Sequence, residues 1–177
     1  MNGKQLKNSI LQWAIQGKLV PQDPNDEPAS VLLERIRAEK ARLVKEKKIK
    51  KDKNESIIYR GEDNSYYEKF LATREVKCID EEIPFEIPAT WEWCRLLSIV
   101  SLLGDGIHGT PEYSEGGSVY FINGNNLFDG QILIKPDTKT VSKEEAVKHS
   151  RLLNESTVLV SINGTIGNIA FYSGENV

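Results

Sequence analysis

The sequence predicts an α+β protein: an N-terminal helical arm, a short helix plus a long one, followed by a mainly β domain with short flanking helices. Three observations carry that expectation. Residues 4–16 place Leu6, Ile10, Leu11, Ala14 and Ile15 at helical spacing. Residues 27–52 repeat Leu32, Leu33, Ile36, Ala38, Leu43 and Val44 on the same period, with neither Gly nor Pro after Pro28. Beyond residue 118, apolar residues gather into short β-branched or aromatic runs at 119–122, 131–135, 157–162 and 168–172, each bounded by Gly or Asn.

Taken in order, the first helix stops at Gly17, the residue type that tolerates the left-handed conformation after a helix end. Pro21, Pro24 and Pro28 then forbid a continuous helix. Asp26 can cap the next one, with Pro28 in its first turn. That helix, about 25 residues, would run roughly 38 Å at ~1.5 Å per residue. So long a helix in so small a protein needs a helical partner for its stripe of Leu32, Leu33, Ile36 and Leu43: helix 4–16, or a second copy through self-association. Arg42/Glu46 and Glu46/Lys50 are i,i+4 pairs for its wet side. Its last turn is basic, which suits a helix C-terminus. Residues 53–65 read as a polar linker and 66–73 as a short helix. Residues 81–88, E-E-I-P-F-E-I-P, are an extended, proline-held segment, and 91–96 alternate as a strand or its approach. Ser142 followed by Glu145 is a capping box opening a helix through about Arg151.

The 177 residues fit one ordinary domain, or a small domain with an arm. The division expected is an arm at 1–60 and a domain at 61–177. Charge divides at the same place: 1–60 carry 14 Lys/Arg against 8 Asp/Glu, and 61–177 carry 9 against 18, giving the net −3 of the chain. No apolar window is long enough to span a membrane. The N-terminus lacks a signal-peptide block, and the two cysteines, Cys78 and Cys94, read as reduced structural thiols. A cytoplasmic location is expected.

Catalytic chemistry finds little to stand on. His108 and His149 lie far apart, no Cys/His spacing suits zinc, and Asp105 with His108 has no nucleophile placed beside it. Neither a Gly-rich first strand-turn nor an Asn/Asp-Pro-Pro-aromatic motif for a methyl-donor cofactor is present, and no cofactor is expected. The chain instead carries short side chains with both donors and acceptors, set on glycine turns. In Asp105-Gly106-Ile107-His108-Gly109-Thr110-Pro111, His108 and Thr110 can face a ligand; the plainer reading is a turn in which Thr110 bonds its own backbone. In Asn123-Gly124-Asn125-Asn126, an Asn can pair bidentately with adenine, while Asn-Gly is equally a hairpin signal. In Asn163-Gly164-Thr165-Ile166-Gly167, the Gly-x-x-Gly spacing is that of a KH backbone clamp, but its place between strands favours a hairpin. Lys139, Lys143, Lys148 and Arg151 cluster around the helix after Ser142, either at phosphate or as a solvated face.

These motifs, in this order, resemble the target recognition domain of the specificity subunits of type I restriction-modification enzymes. The entry I-P-F-E-I-P-A-T-W-E-W-C-R-L at 83–96 resembles the usual start of such a domain. Residues 4–44, with L-K-N-S-I-L-Q-W-A-I-Q-G-K-L-V-P-Q-D-P-N-D-E-P-A-S-V-L-L-E-R-I, resemble the helical spacer beside it. The resemblance implies a non-catalytic reader of double-stranded DNA that directs methyltransferase (modification) subunits and a restriction/translocase subunit. The DNA contacts it suggests are His108, Thr110, Tyr113, Asn125, Asn126, Lys139, Lys143, Arg151, Asn163 and Thr165, with the loops at 105–113, 123–127 and 163–167 on one edge. Members of that family carry two recognition domains and several hundred residues, so the chain reads as a truncated specificity subunit whose sheet is incomplete. The acidic balance of 61–177 implies that the chain alone binds DNA weakly and with little preference. Two other readings stay open: the recognition segment of a single-chain restriction-methyltransferase, and a module that binds only protein.

Overall fold

The computed structural model describes residues 2–149, 151 and 153–177. Helices and small antiparallel sheets make it an α+β protein, divided into two compact units, Met1–Gly104 and Asp105–Val177.

In the first unit, helix α1 (Gly3–Ile15) opens on a capping box. The Asn2 side chain accepts from the Gln5 N–H at 2.9 Å, and the Gln5 side chain accepts from the Asn2 N–H at 2.8 Å. It closes at Gly17, as the sequence predicts. With φ at +66° there, the Lys18 N–H returns to the Trp13 carbonyl and the Gly17 N–H to Ala14. A Cβ on Gly17 would lie 2.5 Å from Pro88 Cγ, so only Gly lets the proline-held segment pack there.

Helix α2 (Ala29–Lys45) is 17 residues, shorter than the predicted 27–52. It ends because Lys47 adopts φ +58°, which turns the Lys47 and Lys48 amides back onto the Val44 and Leu43 carbonyls. Its N-cap is Pro28, with no side-chain cap, so Asp26 does not serve; Glu27 instead pairs with Arg35 at 2.9 Å. The Arg42–Glu46 pair forms at 2.6 Å. Lys50 lies past the helix end, and Lys48 takes its place on Glu46 at 2.8 Å. The main packing partner of α2 is the short α3 (Leu96–Ile99) rather than α1. The Lys40 ammonium donates to the Leu97 and Ser98 carbonyls of α3. Neither α1 nor α2 has a buried residue, and Leu32 is 40% exposed. The predicted stripe is thus only half covered.

The centre of this unit is an antiparallel sheet of β1 (Ser56–Arg60), β2 (Tyr66–Phe70) and β3 (Val76–Cys78), in that order. Two expectations fail here. The predicted linker at 53–65 contains β1, since Ile57, Ile58 and Tyr59 are residues that fit a pleated surface. The predicted helix at 66–73 is β2, which gains a ladder on both edges: Tyr59 pairs with Tyr67, and Tyr67 with Cys78. Two-residue alternation turns Tyr66 and Glu68 inward. Buried Glu68 accepts from the Ser56 hydroxyl at 2.5 Å and from the Arg95 guanidinium through both oxygens. Arg95 also reaches Glu82 at 2.8 Å. The Arg95 hydrogen bonds hold the Glu68 carboxyl below its ordinary pKa, and Glu68 and then Glu82 push Arg95 up. Residues 91–95 form no ladder; the Trp91 indole N–H donates to the Gln22 side chain at 2.8 Å, and α3 follows. Cys78 and Cys94 are free thiols.

The second unit is built from short antiparallel pairs. β4 (Val119–Tyr120) pairs with β7 (Thr140–Val141), β5 (Leu127–Phe128) with β6 (Gln131–Ile132), and β8 (Val158–Val160) with β9 (Ile169–Phe171). Between β7 and β8 lies α4 (Lys143–His149); the predicted helix end near Arg151 borders Ser150 and Leu152, which lie outside the described residues. The core is Leu127, Ile132 and Ala170, with Ile122, Leu159, Tyr172 and Val177 packed around it. The predicted strand runs of four to six residues shrink to ladders of two or three, and flanking residues bond backbone to backbone outside them, as the Phe121 N–H does to Lys139 and the Tyr172 N–H to Thr157.

Candidate functional site

All ten sequence-predicted contact residues lie in the second unit. An open groove of about 580 Å³ crosses it, and four of the ten line it: Tyr113, Asn125, Asn126 and Lys139. The groove also takes in Phe121, which meets the Tyr113 ring at 5.8 Å between centroids, and Lys135.

Its floor is a polar scaffold around the 3₁₀ turn Gly124–Asn126. Asn123 precedes that turn and caps it, its side-chain oxygen accepting from the Asn125 N–H at 2.9 Å. Asn126 is buried. Its oxygen accepts from the Asn123 N–H at 3.1 Å, and its amide donates to the Leu133 carbonyl at 2.9 Å and to the Thr138 hydroxyl at 3.0 Å. Asn126 therefore holds the loop from inside, and the predicted contact does not face solvent. Asn168, directly after the third motif, donates to the Gly124 carbonyl at 3.1 Å. A Cβ on Gly124 would stand 2.9 Å from that of Ser161. Loops 123–127 and 163–167 are thus neighbours. Ser161 closes the second of them, its hydroxyl donating to the Thr165 carbonyl and accepting from the Asn168 N–H.

Asn125 is different. Its N–H is taken by Asn123 and its carbonyl by the Lys135 ammonium at 2.7 Å, while its exposed carboxamide has no partner among the described residues. The side chains of Asn163 and Thr165 are exposed in the same way. A carboxamide on a backbone fixed from both sides presents one donor and one acceptor in a set direction, which is what paired recognition of a base edge requires.

Loop 105–113 is held by α4. Buried Glu145 accepts from the Glu112 N–H at 3.1 Å, from Lys148 at 2.8 Å and lies 3.4 Å from His149. The Lys148 ammonium first, and the Glu112 amide second, bring its pKa down to about 2. Sequence reading had placed Glu145 in the capping box. Its N–H does donate to the Ser142 hydroxyl at 3.1 Å, but its carboxylate goes to the loop instead. Arg151 donates to the Asp105 carbonyl at 3.3 Å, at the loop's other end. Between those ties, His108 and Thr110 are exposed, with His108 3.5 Å from Asp105. Lys143 and Lys139 are exposed. Lys135 and Phe121 were missed from the sequence because nothing in their spacing distinguishes them from surface or core residues.

No group of three or more His, Cys, Asp or Glu among the described residues is arranged to hold a metal ion. No described helix is long and apolar enough to cross a membrane.

No family model and no solved structure matches the chain. Curated relatives do. The chain is 39% identical over 163 residues to the type I restriction enzyme EcoAI specificity subunit of Escherichia coli, covering 92% of this chain and 24% of that one. It is 34% identical over 161 residues to the EcoEI specificity subunit of the same organism, covering 90% and 24%. The chain spans about a quarter of the length of these relatives. By sequence it belongs with the specificity subunits of type I restriction enzymes.

Proposed function

We propose that the chain reads double-stranded DNA for a type I restriction-modification system, recognising a sequence without catalysing a reaction on it. In this reading residues 61–177 are part of a target recognition domain and 1–60 a helical spacer, and the chain directs methyltransferase subunits and a restriction/translocase subunit to the site. The observation that carries the reading is Asn125: a free carboxamide on a backbone clamped by Asn123 and Lys135, at the edge of a groove lined by Tyr113 and Lys139. Its chemistry suits adenine, whose major-groove edge offers one acceptor and one donor. His108, Thr110, Lys143, Asn163 and Thr165 are the remaining candidate contacts, while Asn126 and Arg151 act by holding their loops.

The experiment is methylation of a randomised duplex library by the protein that carries this chain, assembled with methyltransferase subunits. Asn125→Ala should relax preference at one base pair, with a loss of about 1–3 kcal/mol there. Unchanged preference in a folded Asn125→Ala protein removes Asn125 as a reader. A protein that joins its subunits yet never alters which sites are methylated supports the protein-interaction reading instead.

A further inference from the structure

The residues offered above as DNA readers lie in a unit with 5 Lys/Arg against 9 Asp/Glu, which leaves the attraction for phosphate unexplained. The first unit holds the counterpart. Where α2 ends and the chain turns toward β1, residues 45–53 read K-E-K-K-I-K-K-D-K. All six lysines, Lys45, Lys47, Lys48, Lys50, Lys51 and Lys53, are exposed. The two acids among them, Glu46 and Asp52, leave the segment a net charge of +4. Arg42 takes Glu39 at 2.5 Å and Glu46 at 2.6 Å, and Asp52 accepts from the Asn54 N–H at 2.8 Å. Lys48 alone of the six has an ion-pair partner, Glu46 at 2.8 Å, among the described residues.

The segment is also fixed rather than trailing. The Lys47 and Lys48 amides close on α2, half-buried Ile49 anchors the middle, and β1 begins at buried Ser56. Lys47 stands at φ +58°, a position where Gly is the favoured residue. A lysine there keeps a charge at a conformational cost, which folding alone does not require.

We propose that Lys45–Lys53 is a phosphate-binding surface for double-stranded DNA, sequence-independent and separate from the groove. This rests on the reading that the chain works on DNA. Lysine ammoniums spaced along a short turn match a polyanion of regular spacing, and each phosphate they neutralise releases counterions. The surface would supply grip while the second unit supplies choice.

The test is binding of the 177-residue chain to duplex DNA of random sequence, measured across salt from about 50 to 200 mM. The wild type should bind weakly, with affinity falling steeply as salt rises. The combined variant Lys47→Gln, Lys50→Gln, Lys51→Gln, Lys53→Gln should lose at least tenfold at low salt and lower the log–log salt slope by roughly 2–4, at ~0.9 per lost contact. Lys47→Gly keeps the outcome independent of folding: it should leave the protein at least as stable to heat and still lower the slope by about 1. Unaltered slopes in both variants overturn the proposal, as does a wild type that does not bind duplex at low salt. Equal loss of binding to anionic lipid vesicles, with duplex binding intact, also overturns it. Failure of the reader assignment is read in the methylation library as unchanged site preference, and failure of the lysine surface as unchanged salt slopes on random duplex, so the two appear as different results.

Discussion

In the first unit the polar side chain buried by the sheet is charged; in the second, the groove is held by neutral amides and hydroxyls set in turns. Arg95, just before α3, reaches Glu68 on the central strand of a three-stranded sheet whose backbone ladder is continuous. Asn123, Asn126, Thr138, Ser161 and Asn168 do the corresponding work among two- and three-residue ladders. A ladder fixes strands and leaves side chains interchangeable. A network of Asn and Ser fixes the turns themselves, so each turn residue is either a holder or is free to meet a ligand. The second design suits recognition of varied targets, because the free positions can change while the holders stay.

The sharpest way to break the contrast is to open the charged hub. Arg95→Ala leaves Glu68, only 5% exposed at its side chain, without its bidentate partner. Losing one member of a buried pair costs about 3–5 kcal/mol, and since the Arg95 side chain is 42% exposed the expected loss is smaller, about 2 kcal/mol. A urea midpoint measures it. A midpoint unmoved within error means the sheet stands without the hub. Arg95→Lys should recover only part, since an ammonium cannot span both carboxylate oxygens.

The second unit offers a paired test on adjacent residues. Asn126→Ala removes three hydrogen bonds from a buried site and should cost about 1–3 kcal/mol. Its effect on DNA should be uniform across sequences. Asn125→Ala touches no internal partner of its side chain and should change stability by less than about 0.5 kcal/mol while altering preference at one position. Equal stability losses in the two variants would erase the distinction between holders and readers.

That distinction is what the sequence could not express. Periodicity located α1, α2 and the β runs because burial imposes a repeat, and Gly17 marked a helix end because the left-handed conformation has a residue signature. The hairpin of β1 and β2 was missed: its polar turn, with Asn64 at φ +65°, looked like a linker, and Tyr66–Phe70 carries too few turn signals to separate strand from helix. At the site, Asn125 and Asn126 are chemically identical neighbours, and only the fold shows that one points at Thr138 and the other at solvent. Glu145 likewise matched its capping-box spacing, yet its carboxylate partner, Glu112, lies 33 residues away.

Glu145 gives the next test, through pH. Its folded pKa, about 2, lies below the ordinary 4.5. A depressed carboxylate contributes stability that is fully present above about pH 5. The contribution shrinks as pH falls from the ordinary value toward 2. The protection of the Glu112 amide against exchange, measured relative to the intrinsic rate at each pH, should therefore fall across that window, together with that of loop 105–113. Glu145→Gln should remove most of the pH dependence of that protection, and protection at Glu112 that stays constant with pH would remove the tether. No comparable response is expected at Asn126, whose partners do not titrate.

The smallest expected effect concerns where each unit puts its left-handed residues. The second unit assigns them mainly to glycine, at 116, 130, 164, 167 and 174, with Asp129 the one other residue described there. The first uses Lys47, Asn64 and Arg74 beside Gly17. At Lys47 the side chain makes no hydrogen bond or ion pair among the described residues, so no polar partner offsets the conformational cost. Lys47→Gly relieves it but also gives the unfolded chain more freedom to lose. The first effect, about 1–2 kcal/mol for an L-residue in this region, exceeds the second, about 0.5–1 kcal/mol. The net should be a gain of about 0.5–1 kcal/mol, read as a rise in the thermal midpoint. A fall would mean that the lysine stabilises the turn, and the case for its retention as a charge rather than as a cap would go with it.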